Sequence, residues 1–262
     1  MSEFPDRMRR TECLTMTPEI LAVIPARFAS VRFPGKPLAD ICGKPMIQWV
    51  YEAASQSPSF ARTVIATDDQ RIASAAELFD AEVIMTRNDH ETGTDRLCEV
   101  AEMFPAFDVY VNVQGDQPFV STDALNRLVE PFANADPPEM ATLACPLTEE
   151  AQNDPNSVKV ICDRNMNAIY FSRANIPHRR SDLPAPVYHH LGLYAYEKSF
   201  VKKFQQYKPT PLEQCEQLEQ LRALENGHSI RVSLIESALV EVNTPEDLEV
   251  ANLAMAKLEI ES

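Results

Sequence analysis

Glycine and paired cysteines are both scarce in this sequence. It has only six glycines in 262 residues, well below the usual frequency of about 7%. Each glycine is therefore expected at a demanding backbone position, and four of them fall in the segments discussed below: Gly35, Gly93, Gly115 and Gly192. The six cysteines are scattered without a Cys-x-x-Cys pair. We therefore expect free thiols in a reducing cytoplasm, and neither a zinc site nor a disulfide framework.

Basic residues are also in short supply. The chain has 24 Lys and Arg against 39 Asp and Glu, giving a formal net charge of −15. Such an excess of negative charge opposes binding to nucleic acid and to anionic membrane surfaces. No apolar run approaches the roughly 18–20 residues of a membrane span, and residues 1–17 lack the apolar core of a signal peptide. We expect a cytoplasmic protein whose residues 1–17 are a flexible tail, with Met16 as an alternative natural start.

Apolar segments alternate with helical patterns in the first half of the chain. Helical spacing of apolar residues predicts helices over 45–56 and 69–79. Short apolar runs predict strands over 21–24, 63–66, 82–85 and 109–113. Alternation of this kind indicates an α/β fold with a mostly parallel central sheet covered by helices. In such a fold, ligands bind beyond the carboxyl ends of the strands.

After about residue 140 strands dominate. They are predicted over 140–145, 158–162, 168–171 and 191–196. We expect one domain over 18–262, with a nucleotide-binding part at about 20–140 and a smaller mixed-sheet lobe at about 141–235 for substrate and dimer contacts. Two helices complete it, one over 211–226 and a last one over 245–258, where Thr244 is a suitable N-cap.

A basic loop follows the first predicted strand. Arg27, Arg32 and Lys36 place three cations within ten residues of an acidic protein, and Ser30 adds a donor. A triphosphate needs several fixed donors of this kind. The loop is not a Walker A motif, because Pro37 follows Lys36 and the upstream glycine is missing. The alternative is an exposed basic loop without a ligand.

Two further segments lie near strand ends. Gln114-Gly115-Asp116 follows a strand, and its carboxylate suits Mg²⁺ bound to phosphate oxygens, although such an aspartate is often only a turn residue or helix cap. Thr92-Gly93-Thr94 opens a helix, where backbone N–H groups can read a base or a phosphate. The plain alternative there is a helix start capped by Thr94.

Polar residues of the second half suit a carboxylated, polyhydroxylated substrate. Cations and hydroxyls come from Arg173, Arg180, His190 and Tyr194. In the segment 213–222, apolar spacing places leucines on the core, and the acidic positions would ordinarily form a solvated face. Each of these residues taken singly also fits a purely structural role.

Together these segments resemble a known family, the 3-deoxy-manno-octulosonate (Kdo) cytidylyltransferases. The resemblance runs in order from about Leu21 to the C-terminus. It is carried by PARFASVRFPGKPL, ATDD, GTDR, VNVQGDQP, YFSRANIP, HHLGLYAY, LEQLRALENG and VNTPEDLE. It implies a Rossmann-like nucleotide-diphospho-sugar transferase fold, in a homodimer. The implied reaction joins CTP and Kdo into CMP-Kdo and pyrophosphate, for lipopolysaccharide synthesis.

The resemblance also implies roles for residues of this chain. Arg27, Lys36 and Asp116 would be catalytic, and Asp116 would hold Mg²⁺. The nucleotide would be bound by Arg27, Ser30, Arg32, Lys36, Thr92, Gly93, Thr94, Gln114 and Asp116. The sugar acid would be bound by Arg173, Arg180, His190, Tyr194, Glu219 and Gln220.

One position departs from the family pattern. Asn243 stands where the family has a second metal-binding aspartate. Three interpretations follow: an active enzyme with a weaker metal site, a nucleotide-binding homologue with impaired turnover, or an asparagine that never approaches the metal. A related sugar acid, such as 8-amino-Kdo, is the alternative substrate.

Overall fold

The computed structural model describes residues 17–29, 33–181 and 185–261. Their strands are β1 Ile20–Ala26, β2 Asp40–Ile41, β3 Lys44–Pro45, β4 Arg62–Thr67, β5 Val83–Met85, β6 Val109–Asn112, β7 Met140–Pro146, β8 Lys159–Cys162, β9 Ala168–Ser172, β10 Tyr188–Glu197 and β11 Ile230–Leu234. Their helices are α1 Met46–Ser55, α2 Gln70–Glu77, α3 Gly93–Met103, α4 Thr122–Val129, α5 Glu149–Asn153, α6 Lys198–Phe204, α7 Pro211–Glu216, α8 Leu221–Glu225 and α9 Pro245–Glu261. Ser30, Arg32 and nearly all of the predicted tail lie outside the described residues.

The main sheet begins with a parallel block. Its strands follow the order β5-β4-β1-β6, and every neighbouring pair in this block is parallel. Helices connect these strands, as parallel pairing requires. The prediction of an α/β fold with a parallel central sheet is therefore confirmed. Since the carboxyl ends of β1, β4 and β6 share one edge, the segments that follow them meet there.

Strand β10 carries the sheet from the parallel block into the second half of the chain. On one side, Tyr194 to Glu197 pair antiparallel with β6. On the other side, both Tyr188 to Leu191 and Tyr194 to Tyr196 pair antiparallel with β7. The register shifts between Leu191 and Tyr194, and the early part of β10 also pairs with β8. The predicted mixed strands thus extend the central sheet through β10.

The core lies on both faces of the sheet. Side chains of β1 alternate between two hydrophobic clusters, with Ala22 and Ile24 on the side of α1 and α4 and with Leu21 and Val23 on the side of α3 and α6. A strand covered on both faces reads as a continuous apolar run, which is the pattern of residues 20–24. Burying each large aliphatic side chain stabilises the fold by roughly 1.5–3 kcal/mol.

The helix predicted over 211–226 is broken. Helix α7 ends at Glu216, and Gln217 takes a left-handed conformation with φ 53° before α8 begins at Leu221. The Glu216 carboxylate accepts hydrogen bonds from Ser172 Oγ at 2.6 Å and from the Arg173 backbone N–H at 3.0 Å. Leu218 and Leu221 are buried as expected, because a spacing of three suits a turn as well as a helix. Apolar periodicity therefore could not reveal the break.

The start of the last helix is confirmed, although it runs on to Glu261. Thr244 Oγ1 accepts the Asp247 backbone N–H at 3.2 Å, and the Asp247 carboxylate accepts the Thr244 N–H at 2.9 Å. This reciprocal pair is a capping box with aspartate in place of glutamate. It fixes the chain just after Asn243.

Candidate active site

The loop after β1 is closed by a glycine. Gly35 donates its backbone N–H to the Phe28 carbonyl at 2.9 Å and has a φ of +73°. A Cβ at this position would lie 3.0 Å from Phe28 Cζ, so a side chain would displace the Phe28 ring and would strain the backbone. The turn brings the next residue, Lys36, back over the carboxyl ends of β1 and β6.

Lys36 joins two segments that are far apart in the sequence. Its ammonium lies 2.7 Å from Asp116 Oδ2 and 3.2 Å from Asn243 Oδ1. The Val242 backbone N–H donates to the Asp116 carbonyl at 2.9 Å and ties the segment before α9 to the loop after β6. The predicted phosphate loop and both predicted metal-binding residues therefore meet at one point.

The loop after β6 approaches β1 closely. A Cβ at Gly115 would lie 3.2 Å from the Pro25 carbonyl oxygen, which is tighter than side-chain carbons normally come to backbone atoms. Glycine at this position lets the loop cross the end of β1 and present Asp116. The expectation for scarce glycines thus holds at Gly35 and Gly115. It fails at Gly192, where a Cβ would meet no heavy atom within 4 Å and φ is not positive.

Helix α3 begins at the edge of a cavity that these loops line. Thr92 is its N-cap: Thr92 Oγ1 accepts the Asp95 N–H at 3.1 Å, and the Asp95 carboxylate accepts the Thr92 N–H at 2.9 Å. The expectation that Thr94 caps the helix is wrong, and Thr94 is buried instead. The first turn of α3 remains suited to an anion or a base edge.

A first cavity contains most of the predicted nucleotide-binding residues. Arg27, exposed at the rim, donates to the Glu91 carbonyl at 3.3 Å. Sequence reasoning missed two residues that line this cavity, His90 and Arg96. Arg96 is buried and donates to Asp68 Oδ1 at 3.0 Å. Its place in Gly-Thr-Asp-Arg was the available signal. The cavity is lined by Pro25, Ala26, Arg27, Lys36, Pro37, His90, Thr92, Gly93, Arg96, Gln114, Gly115, Asp116 and Asn243.

A second cavity opens between β10, the end of β9 and the break before α8. Five of the six residues predicted for the sugar acid line it together: Arg173, His190, Tyr194, Glu219 and Gln220. Arg180 is exposed and is not among the lining residues. Gly192 lines the cavity as well, so its missing side chain leaves the space open.

His190 is a buried, neutral group. Burial lowers the pKa of its imidazole to about 3, so it does not supply the cation expected from the sequence. Thr142 Oγ1 lies 3.0 Å from His190 Nε2 and 2.7 Å from the Leu193 carbonyl oxygen. The single hydroxyl proton is needed for the carbonyl, which can only accept, so His190 Nε2 carries the proton that Thr142 accepts. The neutral ring then has Nδ1 as an acceptor.

Arg173 holds the broken helix in place. Its guanidinium donates to backbone carbonyls of Glu216 at 2.9 Å, Gln217 at 3.4 Å and Pro155 at 3.3 Å.

The acidic residues of α7 do not form the solvated face expected from the sequence. Glu213 is buried against Arg222, with Nε to Oε2 at 2.8 Å, and Glu216 bonds the end of β9.

Several polar groups along the second cavity are desolvated. Burial raises the pKa of the Glu219 carboxyl and of the Tyr194 hydroxyl above their ordinary values. Gln220 Nε2 and Asn112 Oδ1 are buried and have no hydrogen-bond partner within the described residues. An unsatisfied buried polar group costs about 1–3 kcal/mol, and a polar ligand in this cavity would offset that cost.

The two cavities adjoin. Gly93, Gln114 and Asp116 line both of them. A group bound in the first cavity and a group bound in the second therefore meet beside Asp116. This geometry suits the transfer of a group from one ligand to the other.

The sheet, the cationic loop and the adjoining cavities are those of a nucleotidyltransferase enzyme. The family described as Cytidylyltransferase matches residues 21–230. A 3-deoxy-manno-octulosonate cytidylyltransferase of Acaryochloris marina is 54% identical over 89% of this chain and 96% of its own length. One of Synechococcus elongatus is 52% identical over the same shares of the two chains. The chain belongs to the cytidylyltransferase family, and within it to the 3-deoxy-manno-octulosonate cytidylyltransferases.

A solved structure supports the same placement. The chain superposes with a TM-score of 0.88 and 40% identity on a CMP:2-keto-3-deoxy-manno-octonic acid synthetase complexed with CTP, covering 91% of this chain and 99% of that one. The Rossmann-like fold expected from the resemblance is therefore confirmed. In the part of the chain that the structure describes, none of the helices has the length and apolar character needed to cross a bilayer.

Proposed function

We propose that this enzyme transfers CMP from CTP to the anomeric hydroxyl of Kdo and releases pyrophosphate. The meeting of a cationic cleft and a polar cavity at Asp116 carries this proposal. The names of the relatives support the two substrates. The hydroxyl attacks the α-phosphorus in line with the departing pyrophosphate, so no covalent enzyme intermediate is needed.

The first cavity binds CTP. Arg27 and Lys36 contact the triphosphate and stabilise the charge that develops on pyrophosphate. Ser30 and Arg32, which lie outside the described residues, have the same role by resemblance. Gln114 and the backbone of residues 92–94 lie next to the cytosine.

Asp116 and Asn243 fit a Mg²⁺ site. Their oxygens converge on the Lys36 ammonium, so this point already accommodates a positive charge. Carboxylate and amide oxygens are ligands that Mg²⁺ accepts. When bound, Mg²⁺ lowers the pKa of the attacking hydroxyl and neutralises charge on the α-phosphate. The described residues contain no cluster of three or more His, Cys, Asp or Glu side chains suited to a metal. A Mg²⁺ ion held by Asp116 and Asn243 would therefore also need oxygens from the nucleotide phosphates or water.

The second cavity binds the sugar acid. Arg173 suits the carboxylate, because three of the five guanidinium N–H groups bond backbone carbonyls and two remain for the carboxylate oxygens. Neutral His190 accepts a hydrogen bond from a sugar hydroxyl, and Tyr194, Glu219 and Gln220 contact other hydroxyls. Arg180 contacts the substrate less directly, since it lies outside the lining. By resemblance, we also propose that the enzyme is a cytoplasmic homodimer whose product is used in lipopolysaccharide synthesis.

Pyrophosphate release with each of the four nucleoside triphosphates, with and without Kdo, tests this function. We expect release only with CTP and Kdo together, and 8-amino-Kdo in a parallel reaction tests the alternative sugar acid. Release that is independent of Kdo would contradict the proposal. CTP binding without turnover on either sugar acid would instead favour the nucleotide-binding homologue.

A further inference from the structure

Glu241 lies beside the proposed metal site but belongs to none of the motifs in the sequence. It is two residues before Asn243, in the segment between β11 and α9. Glu241 Oε2 accepts a hydrogen bond from Asn243 Nδ2 at 3.2 Å, and Oε1 accepts one from Gln117 Nε2 at 3.0 Å.

These contacts fix the orientation of the Asn243 amide. The amide has one NH₂ group and one carbonyl oxygen. Because Glu241 accepts a hydrogen bond from the NH₂ group, Oδ1 faces Lys36 and Asp116, with Oδ1 to Lys36 Nζ at 3.2 Å. Without an acceptor at this place, the NH₂ group could face the cation and repel it.

Glu241 also brings a negative charge to the site. It lines the second cavity together with Asp116 and is open to it. An asparagine at 243 has one negative charge fewer than an aspartate, and a carboxylate two residues earlier restores the count.

We propose that Glu241 is a positioning residue for the divalent cation. It holds the Asn243 carbonyl oxygen toward the metal and supplies the negative charge that an asparagine lacks. This inference rests on the metal site of the proposed function. It predicts that the charge at 241 and a charge at 243 are interchangeable.

Binding of Mn²⁺ to the CTP complex, followed by electron paramagnetic resonance, tests this inference without turnover. The variants are Glu241→Gln, Asn243→Asp and the double variant, in which the carboxylate moves by two residues. Glu236→Gln is the control, because Glu236 is exposed in the same segment. CTP affinity without metal and melting temperature are measured in parallel and should change little.

We expect Glu241→Gln to weaken Mn²⁺ binding by about tenfold, the scale seen when groups that orient a metal ligand are removed. The double variant should return to within about threefold of the wild type, whereas Glu236→Gln should match it. Asn243→Asp should gain less affinity in the wild-type background than in the Glu241→Gln background, so the result does not depend on one variant folding.

Two outcomes would overturn the inference alone: Mn²⁺ affinity unchanged in Glu241→Gln, or a double variant as weak as Glu241→Gln. The second would show a structural role for Glu241. A wild-type CTP complex that binds no Mn²⁺ would overturn both the inference and the metal site of the proposed function.

Discussion

The two cavities are built in different ways. The first cavity, here called the nucleotide cleft, consists of short loops after parallel strands. Its cations, Arg27 and Lys36, lie at the edge of the sheet. The sugar-acid cavity is built on antiparallel β10 and a broken helix, and its groups are buried and held by neighbours such as Thr142. We therefore expect binding in the first cavity to depend on charge and binding in the second to depend on desolvated, oriented hydrogen bonds.

This difference also predicts how pH affects the stability of the second region. His190 has a folded pKa of about 3 against an ordinary value of 6.5. Below pH 6.5 the unfolded chain takes up a proton that the folded chain refuses, so stability is complete above pH 6.5 and falls as the pH drops toward 3. From pH 7.5 to 5 this group alone should cost about 2 kcal/mol of unfolding free energy. Denaturant unfolding of the wild type and His190→Gln checks it, and parallel pH profiles would show that His190 is not buried and neutral.

Removing a positive charge from the first cavity should weaken stabilisation of the triphosphate and of the transition state. We expect Lys36→Ala and Arg27→Ala each to lower kcat/KM at least tenfold, which is about 1.4 kcal/mol of transition-state stabilisation. Lys44→Ala is a matched control, since Lys44 bonds Glu52 at 2.8 Å and does not line either cavity. Pyrophosphate-release kinetics give the answer. Wild-type kinetics in both cleft variants would refute the triphosphate assignment.

Removing a hydrogen-bonding group from the second cavity should weaken binding of the sugar acid and leave CTP binding nearly unchanged. His190→Ala and Arg173→Ala should raise the KM for Kdo by about three- to tenfold, the range of one lost hydrogen bond. Arg173 also holds three backbone carbonyls, so its variant should melt at a lower temperature as well. Calorimetry with CTP should show nearly unchanged affinity in both variants. Loss of CTP binding would mean that the cavity is misassigned.

The smallest effect is expected at the N-terminus. Residues before about Pro18 lack apolar periodicity and precede β1. A chain that starts at Met16 should therefore keep both its activity and its melting temperature, which steady-state kinetics and thermal unfolding would measure. A clear drop in either would show that the tail packs against one of the two regions.

The nucleotide cleft was largely predictable from the sequence. Strand ends of a parallel sheet converge, so a basic loop after the first strand and Asp116 after another had to lie close together. The roles of Gly35 and Gly115 could also be predicted, because few residues other than glycine tolerate a left-handed backbone, as at Gly35, or close approach to another segment, as at Gly115. Glu241 was missed, although its position two residues before Asn243 was a usable signal.

The sugar-acid cavity was predictable only as a set of residues. Family resemblance named His190, Arg173 and Glu219, but tertiary contacts decide what each one does. The neutral state of His190 depends on burial, and its tautomer depends on Thr142, which is 48 positions away in the chain. The left-handed turn at Gln217 depends on the contact of Glu216 with β9, and no local pattern predicts it.

Calorimetric titration of CTP into the wild type, Lys36→Ala and His190→Gln tests the separation of the two regions most directly. This separation predicts that Lys36→Ala weakens CTP binding by about tenfold, the loss of a strong charge-assisted contact. His190→Gln should bind CTP as the wild type does, although its KM for Kdo rises. Equal losses of CTP affinity in the two variants, or a loss in His190→Gln alone, would contradict it.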